Sequence, residues 1–203
     1  TLYQRGGGGA TKRAASSWLV GRAPWEAKPE DVAQYFSAGG NGVAMRILPH
    51  CLRHARFDDF SGLAADIMAD GVTTHGHPRA LVGALSYGFG LWQAFRHRGA
   101  LGYGQLLDVV CANAEVWGAF PDTEECWPSW EVAAQLGVYA PLWTKTVQEQ
   151  LDLLQRCSNG LAGGVAVIDE DVLRELGCFH RSTNGSGIVN AAAALFLASR
   201  NAA

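Results

Sequence analysis

Ala38-Gly39-Gly40-Asn41-Gly42-Val43-Ala44-Met45-Arg46 and its distant partner, Thr73-Thr74-His75-Gly76-His77-Pro78, decide how this chain is read. Each reads as a break that opens directly into a helix. Glycines ahead of a helix let the backbone turn tightly and bring bare N–H groups close to a ligand. Those donors, with the positive end of the helix dipole, favour an anion. Two such openings meeting in one cleft suit a diphosphate or a sugar phosphate.

Working outward, helical periodicity is the dominant pattern. After the Gly39-Gly40 break, Asn41 is placed to cap a helix carrying Val43, Ile47, Leu48 and Leu52, with Pro49 imposing a kink or a short first segment. Phe60, Leu63, Ala64, Ile67, Met68 and Gly71 make the apolar stripe of the next helix, which Gly76 ends. Pro78 opens a long helix to about His97, buried along Leu81, Ala84, Leu85, Gly88, Leu91, Trp92 and Phe95. Ala84, Gly88 and Gly90 let another helix approach closely. Further helices are predicted over 29–37, 104–117, 130–136 and 141–157. Asp169 caps one over 170–176 that Gly177 stops, and the last starts near Gly187. Val165 to Ile168 reads as a short strand or a turn. Residues 1–30 carry little periodicity and read as an irregular, glycine-rich lead-in, with Gly6 to Gly9 as a flexible or cleft-lining loop. Lys12 follows Thr11 with no strand before the glycines, so this is no Walker phosphate loop. The class is all-α, with short connections and no βαβ alternation.

The totals narrow the function. At 203 residues the chain suits one domain over 1–203 with a real core. Apolar residues at 48% and charged residues at 17% describe a globular chain. A net charge of −3 without a basic block argues against a large nucleic-acid footprint. Five scattered cysteines with no CxxC pair read as reduced thiols of a cytoplasmic protein. The most apolar run, Ile188 to Ala198, is too short to cross a bilayer. The chain starts at Thr1 in a glycine-rich stretch and stops within helical sequence, which reads as a fragment or a processed chain.

The residues offer three alternative chemistries. His50 and His54 stand at i, i+4 beside Cys51, near His75 and His77, a weak zinc pattern without a HExxH glutamate. Asp122, Glu124 and Glu125 are candidate acid/base carboxylates or a solvated loop. Trp127 and Trp130 are placed to line a cleft, whereas Trp92 and Trp117 fall on core faces. No Ser/His/Asp or Cys/His order suggests a nucleophile. His77 reads as a cap beside Pro78.

Gly40-Asn41-Gly42-Val43-Ala44-Met45-Arg46, followed after one helix by Thr74-His75-Gly76-His77-Pro78, resembles the ADP-ribosylglycohydrolases, the group that includes the dinitrogenase-reductase-activating glycohydrolases. Ile188-Val189-Asn190-Ala191-Ala192-Ala193-Ala194 is similar to that family's last core helix. The resemblance implies an all-α orthogonal bundle that holds ADP-ribose. It also implies a hydrolase that cleaves the glycosidic bond of ADP-ribosylated proteins or small molecules, commonly with two magnesium ions. Carried over, the ligand contacts are Gly39, Gly40, Asn41, Gly42 and His75, with the loop on the phosphates and distal ribose and His75 on the diphosphate or adenosine side. Arg46 supports the loop. The sequence departs from the family at the metal. An N-terminal Thr-Asp-Asp-type motif is not found, and Asn184-Gly185-Ser186-Gly187 stands where the Asp-Thr-Asp-Thr segment is expected. Neutral oxygens hold a dication far more weakly than carboxylates. A binding module that recognises ADP-ribose without cleaving it, and a structural helical bundle, are the alternatives.

Overall fold

A computed structural model describes residues 8–127 and 137–202. Among them are eleven α-helices and no strand, which gives an all-α fold. They are α1 (Gly9–Leu19), α2 (Pro29–Phe36), α3 (Leu48–His54), α4 (Ser61–Val72), α5 (Pro78–Arg96) and α6 (Gln105–Ala112). Then come α7 (Ala114–Trp117), α8 (Thr123–Cys126), α9 (Tyr139–Leu161), α10 (Asp169–Glu175) and α11 (Gly187–Arg200). The helix expected over 130–136, with Trp130, lies outside the described residues, as do Gly6 and Gly7.

Helix α5 is the axis of the core, and twelve of its residues are buried. Its small residues set how near its neighbours come. A Cβ on Gly83 would stand 2.5 Å from the carbonyl carbon of Gly187, and one on Gly187 would stand 2.3 Å from the Arg79 oxygen. Helices α5 and α11 therefore meet backbone to backbone. A Cβ on Gly90 would meet Leu195 at 2.5 Å, and one on Gly88 would meet Ile67 at 2.5 Å, so α11 and α4 both close on the same rod. Phe60 packs edge-on against Phe89 and at a tilt against Trp92, between α4 and α5.

Several boundaries depart from the sequence reading, each for a local reason. The lead-in contains a full helix, α1, that buries only Ala14, so it has no apolar stripe to betray it. Trp18 docks it, donating from Nε1 to the Thr73 carbonyl at 2.9 Å. The helix expected over 104–117 breaks at Asn113 into α6 and α7. Helix α4 ends at Val72, ahead of Gly76. Gly76 is needed instead for space, since a Cβ there would stand 2.5 Å from the Tyr35 ring. Gly160 lies within α9, where its missing side chain admits Val172 and Phe196. A 3₁₀ turn over Gly164–Ala166 replaces the strand-or-turn segment. Asp169 opens α10 as its first residue and does not cap it; its carboxylate takes Arg200 Nε at 3.2 Å. Gly177 ends α10 as expected, at φ +87°. Its N–H reaches the Arg174 oxygen and that of Cys178 the Leu173 oxygen, a Schellman closure. Phe95 is 42% exposed, outside the core it was assigned to. Trp127 is buried, and its Nε1 donates to the Tyr35 hydroxyl at 2.8 Å, so it does not line a cleft.

A loop, a histidine and a clamp

The two quoted stretches meet. The ring of the buried His75 lies against the glycine loop: a Cβ on Gly42 would stand 2.9 Å from its Cε1 and 3.2 Å from its Nε2. One on Gly40 would stand 3.8 Å from Nε2. Glycine at 42 is thus what lets the imidazole edge approach the backbone, whereas at 40 a methyl group would make ordinary contact. Thr11, at the start of α1, faces the same spot, 3.8 Å from the position of a Gly42 Cβ.

The loop is held from two sides. Gly40 pairs with Ser186 in an isolated antiparallel bridge. Asn41 N–H donates to the Gly185 oxygen at 2.9 Å, and Gly187 N–H to the Gly39 oxygen at 2.9 Å. On the other side Arg46 acts as a clamp. Its NH1 donates to the Gly42 oxygen at 3.0 Å and its Nε to the Asp70 carboxylate at 2.7 Å. Its NH2 donates to the Asp70 carbonyl at 2.8 Å and to Thr74 Oγ1 at 2.9 Å. The guanidinium therefore supports the loop, as the sequence reading held.

This arrangement fixes the protonation of His75. Thr74 Oγ1 stands 2.7 Å from His75 Nδ1. That oxygen accepts from Arg46 and lies 3.5 Å from the Gly71 carbonyl, so its proton is shared between Gly71 and Nδ1, and donation to Nδ1 goes with a ring proton on Nε2. Burial pushes the imidazole down to about 4, and the positive charges of Arg46 and Arg13 add to the shift. At neutral pH His75 is an uncharged imidazole whose Nε2 edge faces the glycine loop. The N–H groups of Gly40 and Gly42 donate to no described residue.

Two expectations about this site are corrected. No α-helix opens at Asn41: a 3₁₀ turn over Ala44–Arg46 comes first, then α3 with Pro49 in its first turn. The Asn41 side chain caps nothing, and its backbone N–H is already engaged by Gly185, so it is no bare donor. The start of α5 is likewise occupied. His77 caps it, with Nδ1 accepting from Arg79 N–H at 3.0 Å. What remains beside His75 are the backbone N–H groups of Gly40 and Gly42, not helix termini, and neither they nor the His75 ring line the adjoining cavity. Asn41 and Gly39 contribute by pinning the loop to the 184–187 segment. Sequence reasoning missed Thr11, Thr74 and Arg13. The Arg13 signal was weak, because its neighbours show no period.

A cavity of about 410 Å³ opens beside the loop, bounded by Ala38 and Thr74 from the two motifs and by Lys12, Arg13, Arg22 and Tyr35. Tyr35 is anchored in its wall by donating to the Val72 oxygen at 2.7 Å.

The segment around Ser186 does not fit a magnesium centre. It has no carboxylate, and its carbonyls are spent: Asn190 Nδ2 donates to the Asn184 and Ser186 oxygens at 2.9 Å each, and Gly185 accepts from Asn41. Among the described residues no three His, Cys, Asp or Glu are grouped to hold a metal. His54 Nε2 instead sits 2.8 Å from Asp66, which Arg53 also pairs at 3.1 Å. Asp122 caps α8 through Glu124 and Glu125 N–H groups, and those two glutamates are exposed on the surface. No helix among the described residues is long and apolar enough to cross a membrane.

A family model described as ADP-ribosylglycohydrolase matches residues 2–202. No curated protein and no solved structure matches the chain.

Proposed function

The chain belongs to the ADP-ribosylglycohydrolase family, and on that footing we propose that it is a hydrolase of glycosidic bonds in ADP-ribosylated proteins or small molecules. The observation that carries the reading is the neutral His75 held against Gly40 and Gly42. The N–H groups of Gly40 and Gly42 and the Nε2–H of His75 bind the diphosphate. A neutral donor suits this task, because it binds at any pH above its own low value and costs no deprotonation. Burial makes each such hydrogen bond to an anion stronger than it is in water. The clamp from Asp70 through Arg46 to Gly42 and Thr74 keeps the donors in place before the ligand arrives, which lowers the ordering cost of binding.

A second reading has its own observation. The lack of any carboxylate at Asn184 to Ser186 favours a module that binds ADP-ribose without cleaving it. Titration calorimetry with ADP-ribose, with and without magnesium, and chromatographic assay of ADP-ribose released from ADP-ribosylated substrates, separate the two. Release that depends on Gly42 and His75 supports the hydrolase. Metal-indifferent binding without release supports the module. Absence of both overturns the reading of the loop as a ligand wall.

A further inference from the structure

The cavity beside the loop is strongly cationic. Lys12 and Arg13 reach it from α1 and Arg22 from the turn that follows, against one carboxylate, Asp31. None of the three cations forms an ion pair with a described carboxylate. Arg22 is held in place by its backbone. Its N–H donates to the Ser17 oxygen at 3.1 Å, its carbonyl accepts from Ser17 Oγ at 2.9 Å, and Gly21 makes the turn at φ +73°. A turn fixed in this way sets the point from which the exposed Arg22 side chain reaches the cavity rim. The charge also reaches the candidate site, since Arg13 contributes to the lowered His75 titration.

We propose that this cavity takes a phosphomonoester carried on the nucleoside side of the ligand, so that the preferred ligand is an ADP-ribose bearing an additional phosphate on its adenosine ribose. The inference rests on the reading of Gly40, Gly42 and His75 as the diphosphate wall. The cavity begins at Thr74 and Ala38, the residues next to that wall, and its volume of about 410 Å³ admits a nucleoside-sized group. A phosphomonoester is close to dianionic at pH 7.5 and offers three acceptor oxygens, which match guanidinium and ammonium donors. With the diphosphate of ADP-ribose placed on the Gly40, Gly42 and His75 wall, a further phosphate is the group that these three cations are free to meet.

The test is calorimetry of the whole chain at pH 7.5 with ADP-ribose and with 2′-phospho-ADP-ribose and its 3′-phospho isomer. One of the phosphorylated compounds is expected to bind about tenfold more tightly, as charge-assisted hydrogen bonds from partly solvated cations give. That preference shrinks as salt is raised. Lys12→Gln and Arg22→Gln, both at exposed positions, are expected to cut the preference to about twofold or less, by weakening the phosphorylated compound several-fold more than ADP-ribose. Circular dichroism checks that they fold. Equal or weaker binding of both phosphorylated compounds, with ADP-ribose bound, overturns this inference alone. Failure of all three compounds to bind overturns the diphosphate wall and the inference with it.

Discussion

Acidification tests the state assigned to His75. In the unfolded chain this imidazole titrates at its ordinary value of 6.5, whereas in the fold it is pushed down to about 4, first by burial and then by Arg46 and Arg13. Above pH 6.5 the ring is neutral in both states and contributes no pH dependence. As pH falls through 6.5 the unfolded chain takes up a proton that the folded chain refuses, so stability drops, and the loss is complete below about pH 4. At about 1.4 kcal/mol per pH unit the gap amounts to roughly 3 kcal/mol. His75→Asn is the perturbation, because an amide oxygen can still accept from Thr74 and the side chain does not titrate. Urea unfolding of the two proteins at steps from pH 7.5 to pH 4.5 gives the comparison. At pH 7.5 the variant is expected to be less stable by about 1–2 kcal/mol, from lost packing and an imperfect hydrogen bond. Toward pH 4.5 that deficit should shrink and then reverse, because the variant lacks the penalty. Parallel pH profiles would refute the burial of a neutral ring. Other acid-sensitive groups, such as Asp66 held down by its hydrogen bond from His54, are common to both proteins and cancel in the difference.

Arg46→Met removes four donor contacts from a guanidinium that is 30% exposed. It is expected to cost about 2–4 kcal/mol in urea unfolding and to weaken ADP-ribose binding in calorimetry, because Gly42 and Thr74 lose their common anchor. Gly83→Ala drives a methyl into the Gly187 backbone, and the better helix propensity of alanine offsets only about 1 kcal/mol of that clash. A net loss of about 2 kcal/mol, or about 4–8 °C in Tm by calorimetric scanning, is expected.

The long amphipathic helices were legible because their apolar residues recur at the right interval. Helix α5 runs from Pro78 to Arg96 much as its pattern said, and α11 begins at Gly187. Helix α1 was not legible, because one buried residue leaves no period to read. The resemblance picked out the two loops, but their local geometry followed other rules. Asn41 looked like a cap because asparagine caps helices; its N–H instead went to Gly185, a residue far along the chain. His77 did act as the cap it resembled, since that bond is made within two residues. The role of Thr74 depends on a guanidinium arriving from another segment, and no spacing rule in the local sequence carries that information.

The bridge between Gly40 and Ser186 couples the loop to a distant part of the chain. Its two hydrogen bonds tie Gly39 and Asn41 to the segment that leads into α11, so one local opening there frees both residues together. The amides of Asn41 and Gly187 are therefore expected to exchange with solvent in a single concerted event, at a common rate.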